Sequence, residues 1–216
     1  MSVEDTKRKL VEAAYKILKE NGFESVKARD VAKEAGYAAT VIYKHFGNLN
    51  FLVTLASLRE LEKYNKENME LTAEVSDSVQ VSKLSWKSFL LHAFHNPPVF
   101  ENLFWGKARA IFEDAVVEYF QLYPEEIQKK TSTFFYLAYF SSNIEERDFM
   151  LLRQAANEGR MTLEDAFYVS RVNGMIAHAA LLEHMEDYKD EKIATRAAEN
   201  CYKLIEKTID KWLIHG

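Results

Sequence analysis

The chain has 216 residues, 48% apolar and 28% charged, which is the balance of a protein that folds around a core and excludes a disordered polymer. Its net charge of −5 excludes a protein that coats nucleic acid along its whole surface. The charge is unevenly spread, with nine Lys or Arg against seven Asp or Glu in residues 1–52 and nineteen against twenty-six in residues 53–216, so any phosphate-facing surface is expected at the N-terminal end. The lone cysteine, Cys201, excludes an intrachain disulfide. No export signal is read at the start, and the longest uncharged stretch, residues 131–144, is too short to span a bilayer. A cytoplasmic protein with no membrane span is expected.

In chain order, Leu10, Ala13, Ala14, Ile17 and Leu18 form the stripe of an amphipathic helix that ends at Gly22. A second helix, Lys27 to Ala35, offers Val31 and Ala35 to a core and closes at Gly36. A third runs from Ala38 to Gly47, with Ile42 and Phe46 facing the core and Ala39, Thr40, Tyr43 and Lys44 on other faces. Longer helical patterns follow over 48–70, 77–95, 98–104, 107–122, 125–141, 145–158, 163–187 and 190–214. Asn48 and Thr162 suit N-caps, Pro97 and Pro98 break the chain after a helix, and Pro124 suits a helix start. No strand-like alternation persists. The predicted class is all-α, with a three-helix domain over residues 1–50 and a larger helical domain over 51–216.

Within Asp30–Phe46, Ala32 is followed four residues later by Gly36, and Ile42 comes six after that. A helix-turn-helix needs a small residue where its helices cross, a glycine in the turn and a buried aliphatic in the second helix. The spacing alone fits an ordinary helical hairpin equally well. What favours DNA is that Lys27, Arg29, Lys33, Lys44 and His45 cluster with Tyr43 around this one hairpin. The competing class is a helical small-molecule or lipid-binding protein whose N-terminal hairpin is only structural.

The run Arg29-Asp30-Val31-Ala32, Ala35-Gly36 and Ile42-Tyr43-Lys44-His45-Phe46 resembles the DNA-binding domain of the TetR family of transcriptional regulators, over roughly residues 6–52. The resemblance implies that Tyr43 and Lys44 meet phosphates, that Ala39 and Thr40 approach base edges, and that Lys27 and Arg29 approach the backbone or neighbouring bases. The DNA-binding set is thus Lys27, Arg29, Ala38, Ala39, Thr40, Tyr43, Lys44 and His45. Three positions depart from the family. Ala38 stands where a capping Ser is usual, Leu49 where a phosphate-contacting Lys is usual, and Thr40 where a Gly is usual.

Residues 86–140 are rich in aromatics, which read first as a helical core. The resemblance implies that some line a pocket for a small apolar or aromatic effector. The candidates are Trp86, Phe89, Phe104, Trp105, Phe112, Tyr136, Tyr139 and Phe140, with Asn102, Ser141 and Asn143 as polar contacts. The helix over 163–187 is apolar on more than one face, so the last two long helices are expected to pair with a second copy as a homodimer. Enzyme motifs are missing: there is no HExxH, CxxC, GxGxxG, Walker loop or GxSxG. His92 and His95 lack a third ligand at helical spacing, so no metal or cofactor is expected. Glu145, Glu146 and Asp148 read as the acidic first turn of a helix. The expected function is a ligand-responsive repressor that binds a palindromic operator as a dimer, with the helix that follows Asn48 as lever.

Overall fold

Ser2 opens the first helix with a reciprocal cap: its Oγ accepts from the Asp5 N–H at 3.0 Å, and the Asp5 carboxylate accepts from the Ser2 N–H at 2.9 Å. The computed structural model describes residues 2–126 and 141–214. The helices are α1 (Val3–Asn21), α2 (Ala28–Ala35), α3 (Ala39–Phe46), α4 (Leu49–Thr72), α5 (Ser78–His95), α6 (Pro97–Phe104), α7 (Phe112–Leu122), α8 (Ile144–Asn157), α9 (Leu163–Glu183) and α10 (Glu191–Lys211). Short 3₁₀ turns lie at Phe23–Ser25, Lys107–Ile111 and Pro124–Glu126, and no strand occurs among the described residues. The class is all-α.

Most predicted boundaries differ from these by a residue or two, and the larger differences have local causes. The 107–122 pattern is broken, because residues 107–111 wind as a 3₁₀ turn after Gly106 and bury Ala108 completely. Pro97 does not precede a helix but opens α6, where its missing N–H costs nothing. The 163–187 pattern stops at Glu183, and His184 folds its ring back so that Nδ1 meets the Ala180 carbonyl at 3.1 Å. The pattern predicted over 125–141 lies almost wholly outside the described residues.

The chain divides into two compact units, one of residues 1–62 with 102–142 and one of residues 63–101 with 143–216. In the first, α1 packs on α2, and α2 on α3, around Leu10, Val11, Ala14, Val31, Ile42 and Leu52, each fully or almost fully buried. Polar contacts tie α1 to α4 and to the segment from α7 onward. Arg8 grips Glu125 with two bonds of 3.0 and 3.1 Å, Arg59 pairs with Glu12, and Tyr15 donates to Glu60 at 2.6 Å. The Arg8–Glu125 pair is exposed and adds little stability, but its two-pronged geometry fixes an orientation.

In the second unit, α5, α8, α9 and α10 pack together. Asp77 and Asp190 cap α5 and α10, and Thr162 caps α9 by accepting from the Asp165 N–H at 3.0 Å. The last two helices present different outer faces. α9 buries Ala166, Val169, Ala177 and Leu181 while leaving Phe167, Tyr168, Met175 and Leu182 about half exposed. α10 buries Ala194, Ala198, Cys201, Ile205 and Ile209 and turns Lys192, Arg196, Lys203 and Lys207 to solvent. Among the described residues no helix is long and apolar enough to cross a membrane.

Candidate nucleic-acid interface

The hairpin of α2 and α3 turns on Gly36, which is left-handed at φ 78° and ψ 30°. The Tyr37 N–H donates to the Ala32 carbonyl at 2.8 Å and the Gly36 N–H to the Lys33 carbonyl at 3.2 Å, the pair of bonds that closes a helix over a left-handed residue. A Cβ at Gly36 would meet nothing within 4 Å. The positive φ, rather than crowding, is therefore what calls for glycine here.

Packing decides which face of α3 is offered. Ile42 is fully buried and Phe46 nearly so, together with Val31 and Ala32 of α2. The other side carries Thr40 and Lys44, both exposed, Tyr43 at 52% exposure, and Ala39 and His45, half-buried. Lys27, immediately before α2, and Arg29, in its first turn, are exposed, and the Arg29 side chain is held only loosely by Asp30 at 3.8 Å. Ala38 is exposed at the head of α3. None of the eight predicted DNA contacts is buried, and all sit on this hairpin.

Ala38 has the extended conformation of an N-cap, φ −80° and ψ 149°, but no side-chain bond caps α3. Ala38→Ser is expected to supply an acceptor for the first free N–H groups and to raise stability by about 1 kcal/mol. Urea titration of the two proteins measures this, and an unchanged midpoint would show that the α3 start is already satisfied. At the start of the next helix, Asn48 does cap: its Oδ1 accepts from the Phe51 N–H at 2.9 Å. Leu49 is the first residue of α4.

Residues 10–50, which hold this whole hairpin, match the family model of the bacterial regulatory proteins of the tetR family. The sequence match to the TetR family is thus carried by the N-terminal domain. Likeness in fold extends along the rest of the chain. A TetR transcription regulator from Haloarcula marismortui aligns over 97% of this chain and 99% of its own, at a TM-score of 0.62 and 17% identity. A transcriptional regulator from Rhodococcus sp. Rha1 aligns over 97% and 99%, at 0.57 and 16%. RolR, in complex with resorcinol, aligns over 99% and 97%, at 0.56 and 15%. At such identities the likeness concerns the TetR fold alone.

The predicted effector residues fall within both units. Trp86 and Phe89 are buried on α5 in the second unit, edge to face at 5.7 Å, and Tyr64 and Phe100 complete the cluster there. Phe104, Trp105 and Phe112 belong to the first unit, with ring centroids 6.0 and 6.4 Å from Phe104. Tyr136, Tyr139 and Phe140 lie outside the described residues. Asn143 caps α8, its Oδ1 accepting from the Glu145 and Glu146 N–H groups at 3.0 and 3.3 Å.

One acidic residue departs from its predicted place. Glu145 and Glu146 are in the first turn of α8, but Asp148 is a turn further on and only 3% exposed. Its carboxyl accepts from Ser82 Oγ at 2.8 Å and Asn173 Nδ2 at 2.9 Å, and the Trp86 indole lies beside it. Sequence reasoning missed it because an acid four residues into a helix sits as readily on the solvent face. The available signal was the small polar series Ser82, Ser85 and Asn173 at positions that share a helix face with apolar residues.

Burial raises the Asp148 pKa above 3.8, against the lowering effect of its three hydrogen-bonding neighbours. The folded chain thus holds this proton to higher pH than the unfolded chain does. Its contribution to stability is greatest below pH 3.8 and falls as pH rises through the window up to the raised value. Asp148→Asn is expected to remove that fall, so the stability difference between variant and wild type grows with pH. Urea midpoints from about pH 4 to 8 check this, and two parallel profiles would contradict it.

Proposed function

We propose that this TetR-type chain is a ligand-responsive DNA-binding transcriptional regulator, acting as a repressor that binds a palindromic operator as a homodimer. The observation that carries the reading is the α2–α3 hairpin, whose core residues are buried while Thr40, Tyr43 and Lys44 are exposed on the second helix. A helix held this way can enter a major groove, with Tyr43 and Lys44 on phosphates and Ala39 and Thr40 at base edges. Lys27, Arg29, Ala38 and His45 complete the contact surface. Residues 1–50 serve as the DNA-binding domain and residues 51–216 as the effector and dimerisation domain.

The half-exposed row of Phe167, Tyr168, Met175 and Leu182 on α9 supports pairing with a second copy, which would offer two recognition helices about 34 to 36 Å apart. The outer face of α10 is mostly charged, so α9 supplies most of the apolar contact. A small effector bound in the second domain favours one spacing of the recognition helices over the other and so releases the operator. α4, which runs across the boundary between Glu62 and Lys63, is the lever.

Mobility-shift assays with the DNA upstream of the chain's own gene test the reading, with light scattering on the same sample. Salt-sensitive, sequence-selective binding by a dimer supports it. A micromolar monomer would overturn the two-half-site arrangement, and a dimer that ignores all DNA would favour a helical carrier instead.

A further inference from the structure

Helix α1 presents two different sides. Leu10 and Ala14 lie on the face that is buried with α2, whereas Arg8, Glu12 and Tyr15, at i, i+4 and i+7, share the side turned away from it. That second side meets α4 and the turn that follows α7, all within the first unit. The Arg8 guanidinium stands 5.1 Å from the centre of the Tyr123 ring, and that of Arg59 stands 5.4 Å from the same ring. Two cations thus share one tyrosine, which is itself buried. Arg59 also lies 5.1 Å from the Tyr15 ring and pairs with Glu12, and Glu12 accepts from the Tyr123 hydroxyl at 3.1 Å. Arg8 adds its two-pronged bond to Glu125, and Lys7 pairs with Glu118 at 2.5 Å.

These groups are poorly placed to stabilise the fold. Glu12 and Glu125 are about half exposed, and ion pairs so open to water contribute little. What they supply is direction, because a guanidinium meets a carboxylate in one plane and a cation stays over the face of a ring. An open groove of about 660 Å³ is lined by Arg8, Glu12, Lys16, Glu34, Arg59 and Glu125. Close packing does not set the angle of α1 on that side, so the polar contacts do.

The angle of α1 matters to DNA binding through the hairpin. α3 carries none of these groups, but it packs on α2, and α2 packs on α1. A change in the direction of α1 is therefore passed on to the recognition helix. Two recognition helices enter successive major grooves only at one separation and angle. A helix left free to swing must be ordered when the second half-site is engaged, and that ordering lowers the gain from binding both.

We propose that Tyr123, with Arg8 and Arg59, is a positioning group for operator binding. Its ring holds α1, and through α2 the recognition helix α3, at the angle that two half-sites require. The proposal rests on the reading of a dimer on two half-sites and adds to it a determinant that lies outside the hairpin.

Fluorescence anisotropy of the full chain tests it on two duplexes. One carries the sequence that the wild type protects upstream of its own gene, and the other is the same duplex with one half-site scrambled. The wild type is expected to favour the full site by about 100-fold. Tyr123→Leu and, separately, Arg8→Gln are expected to weaken full-site binding by about tenfold while leaving half-site binding within about twofold. Tyr123→Phe keeps the ring and is expected to hold full-site affinity within about threefold of the wild type. A merely weakened fold would instead lower both affinities together. Should Tyr123→Leu not fold, Arg8→Gln decides, since Arg8 is at the surface. Equal losses on both duplexes, unchanged full-site binding in both variants, or a Tyr123→Phe protein as impaired as Tyr123→Leu would overturn the proposal. A wild type that binds both duplexes alike removes the two-half-site reading and the proposal with it. A wild-type preference that the variants retain removes the proposal alone.

Discussion

Tyr43→Ala with Lys44→Ala is expected to weaken operator binding by roughly 100-fold or more at fixed salt. Each removed group is a hydrogen-bond donor to a charged phosphate in the proposed complex, worth about 1.5–3 kcal/mol, and the two losses together exceed a factor of about 100. The salt dependence should change as well. Loss of the Lys44 charge lowers the slope of log affinity against log salt by about 0.9 per half-site, whereas Tyr43→Ala alone leaves the slope as it was. Folding should hardly notice, because both side chains are exposed on α3. Fluorescence anisotropy at several salt concentrations, with thermal unfolding alongside, separates the outcomes. An unchanged affinity in the double variant would remove both residues from the contact surface.

One residue earlier, the expectation reverses. Ile42 is fully buried, and Ile42→Ala is expected to destabilise the N-terminal domain by about 2–5 kcal/mol through lost burial and the cavity left behind. Against a total stability of about 5–15 kcal/mol for an ordinary domain, this threatens α3 itself. DNA binding should therefore fail because the recognition helix is no longer held, and the loss should deepen on warming. Urea unfolding checks it: a change below about 1 kcal/mol would mean that Ile42 is not the anchor its burial makes it. Adjacent residues thus separate scaffold from contact, since Ile42→Ala moves stability and Tyr43→Ala moves affinity.

This contrast was legible in the sequence, because three short helices punctuated by Gly22, Gly36 and Gly47 leave little freedom in where the apolar positions point. Ile42 and Phe46 are one turn apart, so burying one face of α3 exposes Thr40, Tyr43 and Lys44 without any long-range information. The missing cap at Ala38 was equally readable, since no alanine side chain can accept a hydrogen bond. Local periodicity and local chemistry fix such features, and they were enough to show the likeness of the first quarter to the TetR DNA-binding domain.

The larger domain yielded less, for a physical reason. A helix pattern says which residues avoid water but not which helix they meet, so the aromatics over residues 86–140 read as a core, with a pocket among them only by the resemblance. In the folded chain Trp86 and Phe89 of α5 meet Tyr64 of α4 and Phe100 of α6, partners that no helical period announces. The same limit hid Asp148, whose burial depends on Ser82 and Asn173, 66 and 25 residues away along the chain. The faces of the last two helices also parted only in three dimensions, with four large apolar side chains left half exposed on α9 and Ile193 and Leu204 exposed among the lysines of α10. The helix-turn-helix and the all-α class follow from contacts within a few turns, so the order of residues suffices for both. Where the buried acid lies and which rings surround it rest on partners distant along the chain, and these are settled only when the helices pack.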